Sequence, residues 1–271
     1  MDVFPPHSSP RRPEGATPTP AGNWLLGKLE ATDRQRLASR LQLVPLRFNE
    51  VLYEVGAPLK YVYFPVKGSL SVLTMMTGGD GIEVACVGKE GMFGYFPASE
   101  AKLSPYRVLV QAHGDAYRID AAALREELKS LPLLERLLDL QQAVFLASVS
   151  QSAACNGLHT VMQRCCRWLL ASSDRLEASE LPHTHEFLAQ MLGVRRPSVT
   201  DVLQPLQQKE IIRHSRGKIT IVDYRALEER ACECFRALKD NRQRLIGQFE
   251  ADVKTDIGGD DADGTRATGS A

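Results

Sequence analysis

Thr184-His-Glu-Phe-Leu-Ala-Gln-Met-Leu-Gly-Val-Arg-Arg-Pro-Ser-Val-Thr-Asp-Val-Leu-Gln-Pro-Leu-Gln-Gln208 carries the sharpest structural signal in the chain. Thr184 suits an N-cap and Glu186 falls in the first turn, where the helix dipole favours an acid. Phe187, Leu188, Met191 and Leu192 recur at helical spacing and define one apolar face. Gly193 stops this helix, because a C-cap commonly needs a residue that tolerates positive φ. Val194 is the buried turn residue. A second helix follows with Pro197 in its first turn, where a missing N–H costs nothing. Val199, Val202, Leu203 and Leu206 make its inner face, while Arg195, Arg196, Ser198, Asp201 and Gln204 lie on the other. Those outer residue types hydrogen-bond phosphates and the base edges of a major groove. A glycine-turned helical hairpin also serves as plain scaffolding, so the flanking sequence has to discriminate.

Downstream, Ile211-Ile-Arg-His-Ser-Arg-Gly-Lys-Ile-Thr-Ile-Val-Asp223 places two β-type runs around a Ser-Arg-Gly turn, which reads as a wing. From Arg195 to Lys218 six cations, Arg216 and Lys218 among them, face only two carboxylates, Asp201 and Glu210. The whole chain, by contrast, balances 33 Lys and Arg against 33 Asp and Glu. Nucleic-acid affinity therefore has to come from this local patch and not from bulk charge.

Working toward the N-terminus, residues 131 to about 155 form a long helix with no glycine before its end, and with Pro132 tolerated in its first turn. Leu133, Leu137, Leu140, Val144 and Ala147 form one apolar stripe and Leu134, Leu138, Phe145 and Val149 a second. Two stripes imply burial on two sides. One covers the preceding domain, and the first, with its 4-3-4-3 spacing, suits a second copy of the same helix or an intramolecular partner. Before Asp120 the texture changes to short β-rich runs such as Val51–Val55, Lys60–Phe64, Leu70–Met75 and Ile82–Val87, separated by turn residues. That spacing argues for an antiparallel sandwich or barrel. The 271 residues, 44% hydrophobic and 24% charged, suit about two ordinary globular domains. Residues 1–22 hold six of the fifteen prolines and read as a disordered lead-in. From Glu250 onward six carboxylates face two cations, a solvated acidic tail. With no membrane-length apolar run and no signal-peptide pattern, the expected location is the cytoplasm.

Enzyme chemistry finds little support. The six histidines are scattered, with no metal-spaced pair on one helix face, and neither a G-x-S-x-G motif nor a P-loop occurs. His183 and His185 flank the N-cap and read as solvent or phosphate contacts. Among Cys86, Cys155, Cys165, Cys166, Cys232 and Cys234 no C-x-x-C spacing occurs, and no metal site is expected. They read as reduced, buried thiols acting as small hydrophobes. Cys232-Glu233-Cys234 alone is close enough to flag as a redox or metal feature.

The segment Thr184–Asp223 closely resembles the DNA-binding region of the Crp/Fnr family of bacterial transcription regulators, and the resemblance extends from about Trp24 to Phe235. It implies an α+β chain: an N-terminal antiparallel β jelly roll of the cyclic-nucleotide-binding type (23–130), a dimerisation helix (131–155) and a C-terminal winged helix-turn-helix (156–235), followed by the end of a C-terminal helix and the tail (236–271). It also implies a homodimer on a two-fold-related double-stranded DNA operator, with RNA polymerase as a further partner and no membrane. Arg196 falls where the family has a base-reading arginine, and Thr184 where the first helix touches phosphate. Pro197 stands in place of a glutamate and Asp201 in place of an arginine of the cyclic-AMP-responsive members, so a different operator is expected.

The sensor block departs further from that pattern. Nucleotide-binding members hold the ribose with a Gly-Glu pair and the phosphate with an Arg-Ser pair. Here Gly91-Met92-Phe93 and Ser104-Pro105 stand in those places, with Arg107 nearby. A cyclic phosphate buried without a charged donor is costly, so cyclic AMP is disfavoured, as are haem and an iron–sulfur cluster, whose ligands have no family-like arrangement. Gly91, Met92, Phe93, Ser104 and Arg107 remain the effector-pocket candidates, with the effector itself undetermined. The competing expectation is a small-molecule or redox sensor acting through a protein partner.

Overall fold

A computed structural model of the chain describes residues 19–96 and 102–259. Residues 1–18 of the expected lead-in and the acidic tail beyond Gly259 lie outside the described residues, while the last part of that lead-in is ordered, Pro20–Gly22 forming a 3-10 turn. Two short helices open the fold, α1 (Trp24–Gly27) and α2 (Ala31–Ala38). Asn23 anchors them. It is fully buried, its Oδ1 accepts from the amides of Leu25 and Leu26, and its Nδ2 donates to Pro65 O at 2.9 Å and Gly91 O at 2.8 Å. Every hydrogen-bonding atom of that amide side chain is thus used, as burial requires.

The sheet comprises β1 (Gln42–Leu46), β2 (Val51–Tyr53), β3 (Tyr61–Met75), β4 (Gly81–Val87) and β5 (Arg107–Asp120). All pairings are antiparallel, in the order β1-β5-β3-β4 with β2 also on β5. The runs that read as Lys60–Phe64 and Leu70–Met75 are one 15-residue strand. Gly68 joins them at φ +78°, inside a bulged register, and a Cβ there would collide with the backbone carbonyls of Ala112 and His113. Pro65, where the first run was expected to end, is thus an internal residue of the strand, paired with Ala116, and Gly68 is a bend within it.

Strand β3 is buried on both faces. Tyr63, Leu70 and Val72 point into an inner core with Tyr53, Val108 and Val110, whereas Val62 and Phe64 join Leu25, Leu124, Leu134 and Leu137 outside. The helical half begins with α3 (Ala121–Leu128), capped by Asp120 Oδ1, and continues through the 27-residue α4 (Pro132–Leu158) and α5 (Val161–Leu176). Thr160 and Gln163 form a capping box at the start of α5. Then come the strand β6 (Glu180–Leu181), α6 (His185–Leu192), α7 (Arg196–Gln208), the wing strands β7 (Ile212–Ser215) and β8 (Lys218–Ile221), α8 (Tyr224–Glu228) and α9 (Cys234–Gly259). Strands β6, β8 and β7 make a second small sheet. Helix α9 runs well past Phe235 into the stretch read as tail, and packs along α4.

One expectation about α4 is corrected. Leu137 is completely buried inside the chain with Leu25, Leu26 and Phe64 and has no surface left for a second copy, and the half-buried Leu133 packs against the same cluster. Leu140, Val144 and Ala147 are half-buried. The open face of the helix is Asp139, Ala143, Leu146, Ser150, Ala154 and Gly157, rotated by about one residue, roughly 100°, from the expected seam. Leucines give more burial energy than alanine and serine, so the leucine stripe went to the internal core.

Candidate nucleic-acid interface and sensor joint

The helix-turn-helix is built by the local signals read in the sequence. Thr184 Oγ1 accepts from the Phe187 amide at 3.1 Å, Gly193 caps α6 at φ +62°, and Arg195 takes the N-cap position of α7 with Pro197 following in its first turn. Val199, Val202, Leu203 and Leu206 are buried against α5 and α6 residues including Trp168, Leu169, Leu188 and Met191. This leaves Thr184, Arg195, Arg196 and Asp201 exposed and Ser198 half-buried. Gly217 turns the wing at φ +76°, with Arg216 and Lys218 exposed on either side. Lys218 is not a free cation: its Nζ pairs with Glu180 Oε1 at 2.7 Å.

The sequence reading missed Thr200 and His214 on this surface and misassigned His183 to it. His185 Nδ1 lies 3.1 Å from Thr200 Oγ1, and its ring sits 4.2 Å from that of His214 on β7. With Gln204 these residues line an open cleft joining α6, α7 and the wing. Burial holds the His185 pKa below its ordinary value, and the neighbouring His214 and Arg196 act in the same direction. His185 thus remains compatible with a phosphate contact, whereas His183 does not. It is wholly buried, stacked on Phe187 at 5.1 Å and edge-on to Trp168 at 5.0 Å. Neither ring nitrogen has a hydrogen-bond partner among the described residues, and burial pushes its pKa down to about 4. A His one residue to either side of an N-cap gives no sequence signal that separates those two fates.

The effector candidates do not converge. Met92 joins the Leu25 cluster, while Phe93 packs among Tyr53, Phe96 and Tyr106 in the inner core. Tyr106 in turn meets Phe145 of α4 at 5.7 Å, so aromatic rings fill the space between sheet and helix. A Cβ on Gly91 would touch Gln141 of α4 at 2.6 Å. Ser104 is buried and donates to Tyr106 O, and Arg107 pairs with Glu54 at 3.5 Å. None of the five lines the cavity of about 300 Å³ that lies between β4, α4, α5 and α9.

That cavity has a charged lining. Arg175 of α5 pairs with Glu90 at 3.0 Å; burial alone would raise the Glu90 pKa, but the Arg175 charge outweighs it and leaves it below the usual carboxylate range. Glu83 of β4 accepts from Trp168 Nε1 and Gln111 Nε2, both at 2.9 Å, and burial raises its pKa. The hydrogen bond from Trp168 crosses from the winged domain to the sheet. Leu73 and Leu109 of the sheet also belong to the same apolar core as Trp168 and Phe187, and Ile82 packs against Gly193 in the turn of the helix-turn-helix. The two halves are therefore fused and not merely tethered.

The cysteines also divide. Cys165 and Cys166 are buried apolar residues whose thiols burial pushes up. Cys155, Cys232 and Cys234, however, converge with His159, all four ligand atoms lying within 4.8 Å of one another. The expectation that no metal-type constellation exists is corrected here. The ligands come from segments 77 residues apart, as with Cys155 and Cys232, which no spacing rule detects.

A β-domain fused through a long helix to a winged helix-turn-helix with an exposed basic recognition face defines a DNA-binding transcription regulator. Family models agree in both halves: a cyclic nucleotide-binding domain matches residues 43–130 and a Crp-like helix-turn-helix domain matches residues 163–230. The chain belongs to the Crp/Fnr family of transcription regulators. A comparison with curated protein sequences finds no match. Among solved structures, the chain is similar to FixK2 from Bradyrhizobium japonicum, with 18% identity, a TM-score of 0.61, and 71% of this chain and 98% of that one covered. A putative Crp/Fnr-family regulator from Eubacterium rectale shows 19% identity and a TM-score of 0.62 over 76% and 96% of the two chains. The c-di-GMP-responsive global regulator CLP of Xanthomonas campestris shows 16% and 0.61 over 71% and 99%. At such identities the similarity is one of fold. No helix among the described residues is long and apolar enough to cross a membrane.

Proposed function

We propose that the chain acts in the cytoplasm as a homodimer that reads a two-fold-related operator with α7, under control of a signal received at the joint between sheet and winged domain. The observation that carries this is the exposure of Arg195 and Arg196 at the start of α7, beside Thr184 at the start of α6 and Arg216 on the wing. A guanidinium at the first turn of a recognition helix can present its fork to the two acceptors of a guanine edge. Thr184, Ser198 and the wing cations serve phosphates, and Asp201 and Arg195 modulate the reading. The dimer forms along the open face of α4 around Ala143, Leu146 and Ser150, with Leu140, Val144 and Ala147 on its flank. RNA polymerase is the further partner. The signal enters at the cavity bounded by Glu83, Glu90, Arg167 and Arg175, because elements of both halves line it. Cyclic AMP does not suit the chain, since its expected place is filled by Met92, Phe93 and the aromatic rings around them.

Operator selection from a random DNA pool, followed by titrations on the selected and a scrambled duplex at several salt concentrations, tests this. Arg196→Ala should cost about 1–3 kcal/mol on the selected site and much less on the scrambled one. Arg216→Ala should weaken both alike and lower the salt slope by about one. Lys218→Ala should do less, because Glu180 already engages its charge. Equal losses on both duplexes for Arg196→Ala would move sequence reading to Arg195, Ser198 and Asp201.

A further inference from the structure

Helix α4 ends at Leu158 with Cys155 in its last turn and His159 as its C-cap, and the Cys232-Glu233-Cys234 segment leads into α9 directly opposite. Cys155 Sγ lies 3.5 Å from Cys232 Sγ, and Cys234 Sγ lies 3.6 Å from His159 Nδ1. Around a tetrahedral zinc with Zn–S of about 2.3 Å and Zn–N of about 2.0–2.1 Å, neighbouring ligand atoms stand roughly 3.5–3.8 Å apart. The spacing is far longer than the ~2.05 Å of a disulfide. It is also too tight for an iron–sulfur cluster, which spreads its cysteines over several irons.

The surroundings of the four ligands match as well. Glu233 Oε1 lies 3.1 Å from His159 Nε2, so that nitrogen carries the proton and the bare Nδ1 faces the sulfurs. A carboxylate behind a histidine is the usual arrangement for orienting a metal-binding imidazole. Gln151 Nε2 donates to Cys234 Sγ at 3.0 Å, and the charge of Arg167 bears on both Cys155 and Cys232. Three thiolates with one divalent cation carry a net charge of −1, which that arginine offsets.

We propose that Cys155, His159, Cys232 and Cys234 form a Cys₃His site for a single zinc-type divalent cation. The bound ion ties the end of α4 to the start of α9, closing a loop that contains the entire winged helix-turn-helix. It thereby fixes the DNA-reading domain against the long helix, independently of what the sensor cavity binds. The four side chains fill all the coordination positions, so the site is a structural one with no place for a substrate. Binding releases the thiol protons and adds its free energy to folding.

The test is a Co(II) titration of the reduced, metal-stripped full-length chain, followed by Zn(II) competition and metal analysis of the untreated protein. One Co(II) per chain should bind with the strong visible absorption of a tetrahedral ion and thiolate-to-cobalt charge transfer in the near ultraviolet, and Zn(II) should displace it. Cys234→Ser and Cys155→Ser should lose the charge-transfer intensity in steps. Glu233→Gln, an exposed change outside the ligand set, should keep the spectrum and weaken affinity about 10–100-fold. Weak octahedral absorption, binding well below one per chain, or affinity unchanged from the parent in the two cysteine variants would overturn the site. So would quantitative formation of a Cys155–Cys232 disulfide in a chain that binds neither ion, which would make the cluster a redox pair.

Discussion

His183 enters the folded protein neutral and emerges from it able to bind a proton. Its folded pKa of about 4 lies below the ordinary 6.5, because the ring is wholly buried among Phe48, Trp168 and Phe187. Below pH 6.5 the unfolded chain therefore binds more protons than the folded one, and stability falls with pH until about pH 4, where both states are protonated. The separation corresponds to about 3 kcal/mol between neutral pH and the bottom of that window. Denaturant midpoints measured from pH 7 to pH 4.5 should drop steeply for the wild type. In His183→Phe, which keeps a ring against Phe187, that limb should flatten. An unchanged acid limb in the variant would assign the loss to carboxylates elsewhere. The same residue marks a limit of sequence reading. His183 and His185 are two positions apart at one helix entrance, yet one is core and the other surface, and only the packing of Trp168 and Phe48 from distant segments decides which.

At the scale of elements, whatever is specified within a few residues was legible. The N-cap at Thr184, the stop at Gly193, the first-turn Pro197 and the glycine-turned wing are local signals, and each holds in the structure. What depends on a partner far along the chain was not. The strands were read short because Pro65 resembles a terminator, whereas β3 runs through it, paired with Ala116, and bends at Gly68 over Ala112. The leucine stripe of α4 shows that a face is buried but not against what. Leu133 and Leu137 pack toward α1 and β3, leaving Ala143, Leu146, Ser150 and Gly157 open. Small residues let two helices approach closely, and Leu146, 66% exposed, is the largest apolar group among them. Leu146→Glu should convert the proposed dimer to monomers in light scattering at micromolar concentration. It should also weaken operator binding, because two half-sites roughly 34 Å apart would no longer be engaged together. Leu140→Glu, on the flank, should have a smaller effect. A Leu146→Glu protein that stays dimeric would return the interface to the Leu140 side.

Across the whole molecule, the sheet and the winged domain share one core, and this has a thermodynamic consequence. Leu109 belongs to β5 by sequence, but its side chain, 1% exposed, packs in the cluster that contains Trp168, Phe187 and Leu203. Leu73 of β3 does the same, and the Trp168–Glu83 hydrogen bond crosses the boundary beside them. Domains joined only by a linker can melt separately, whereas domains that bury one another's apolar groups melt together when the shared area is large. Leu109→Ala should therefore cost about 2–5 kcal/mol, the range for emptying a buried leucine site. The cost should register in both halves. Thermal unfolding followed by Trp168 fluorescence, with Trp24→Phe as background, reports on the winged side; hydrogen exchange of the β3 and β5 amides reports on the sheet. The two midpoints should coincide in the parent and move down together in Leu109→Ala. If the sheet loses protection while the Trp168 transition stays in place, the halves are independent. A signal at the cavity would then have to reach α7 through the α4–α9 connection alone, where Cys155 meets Cys232.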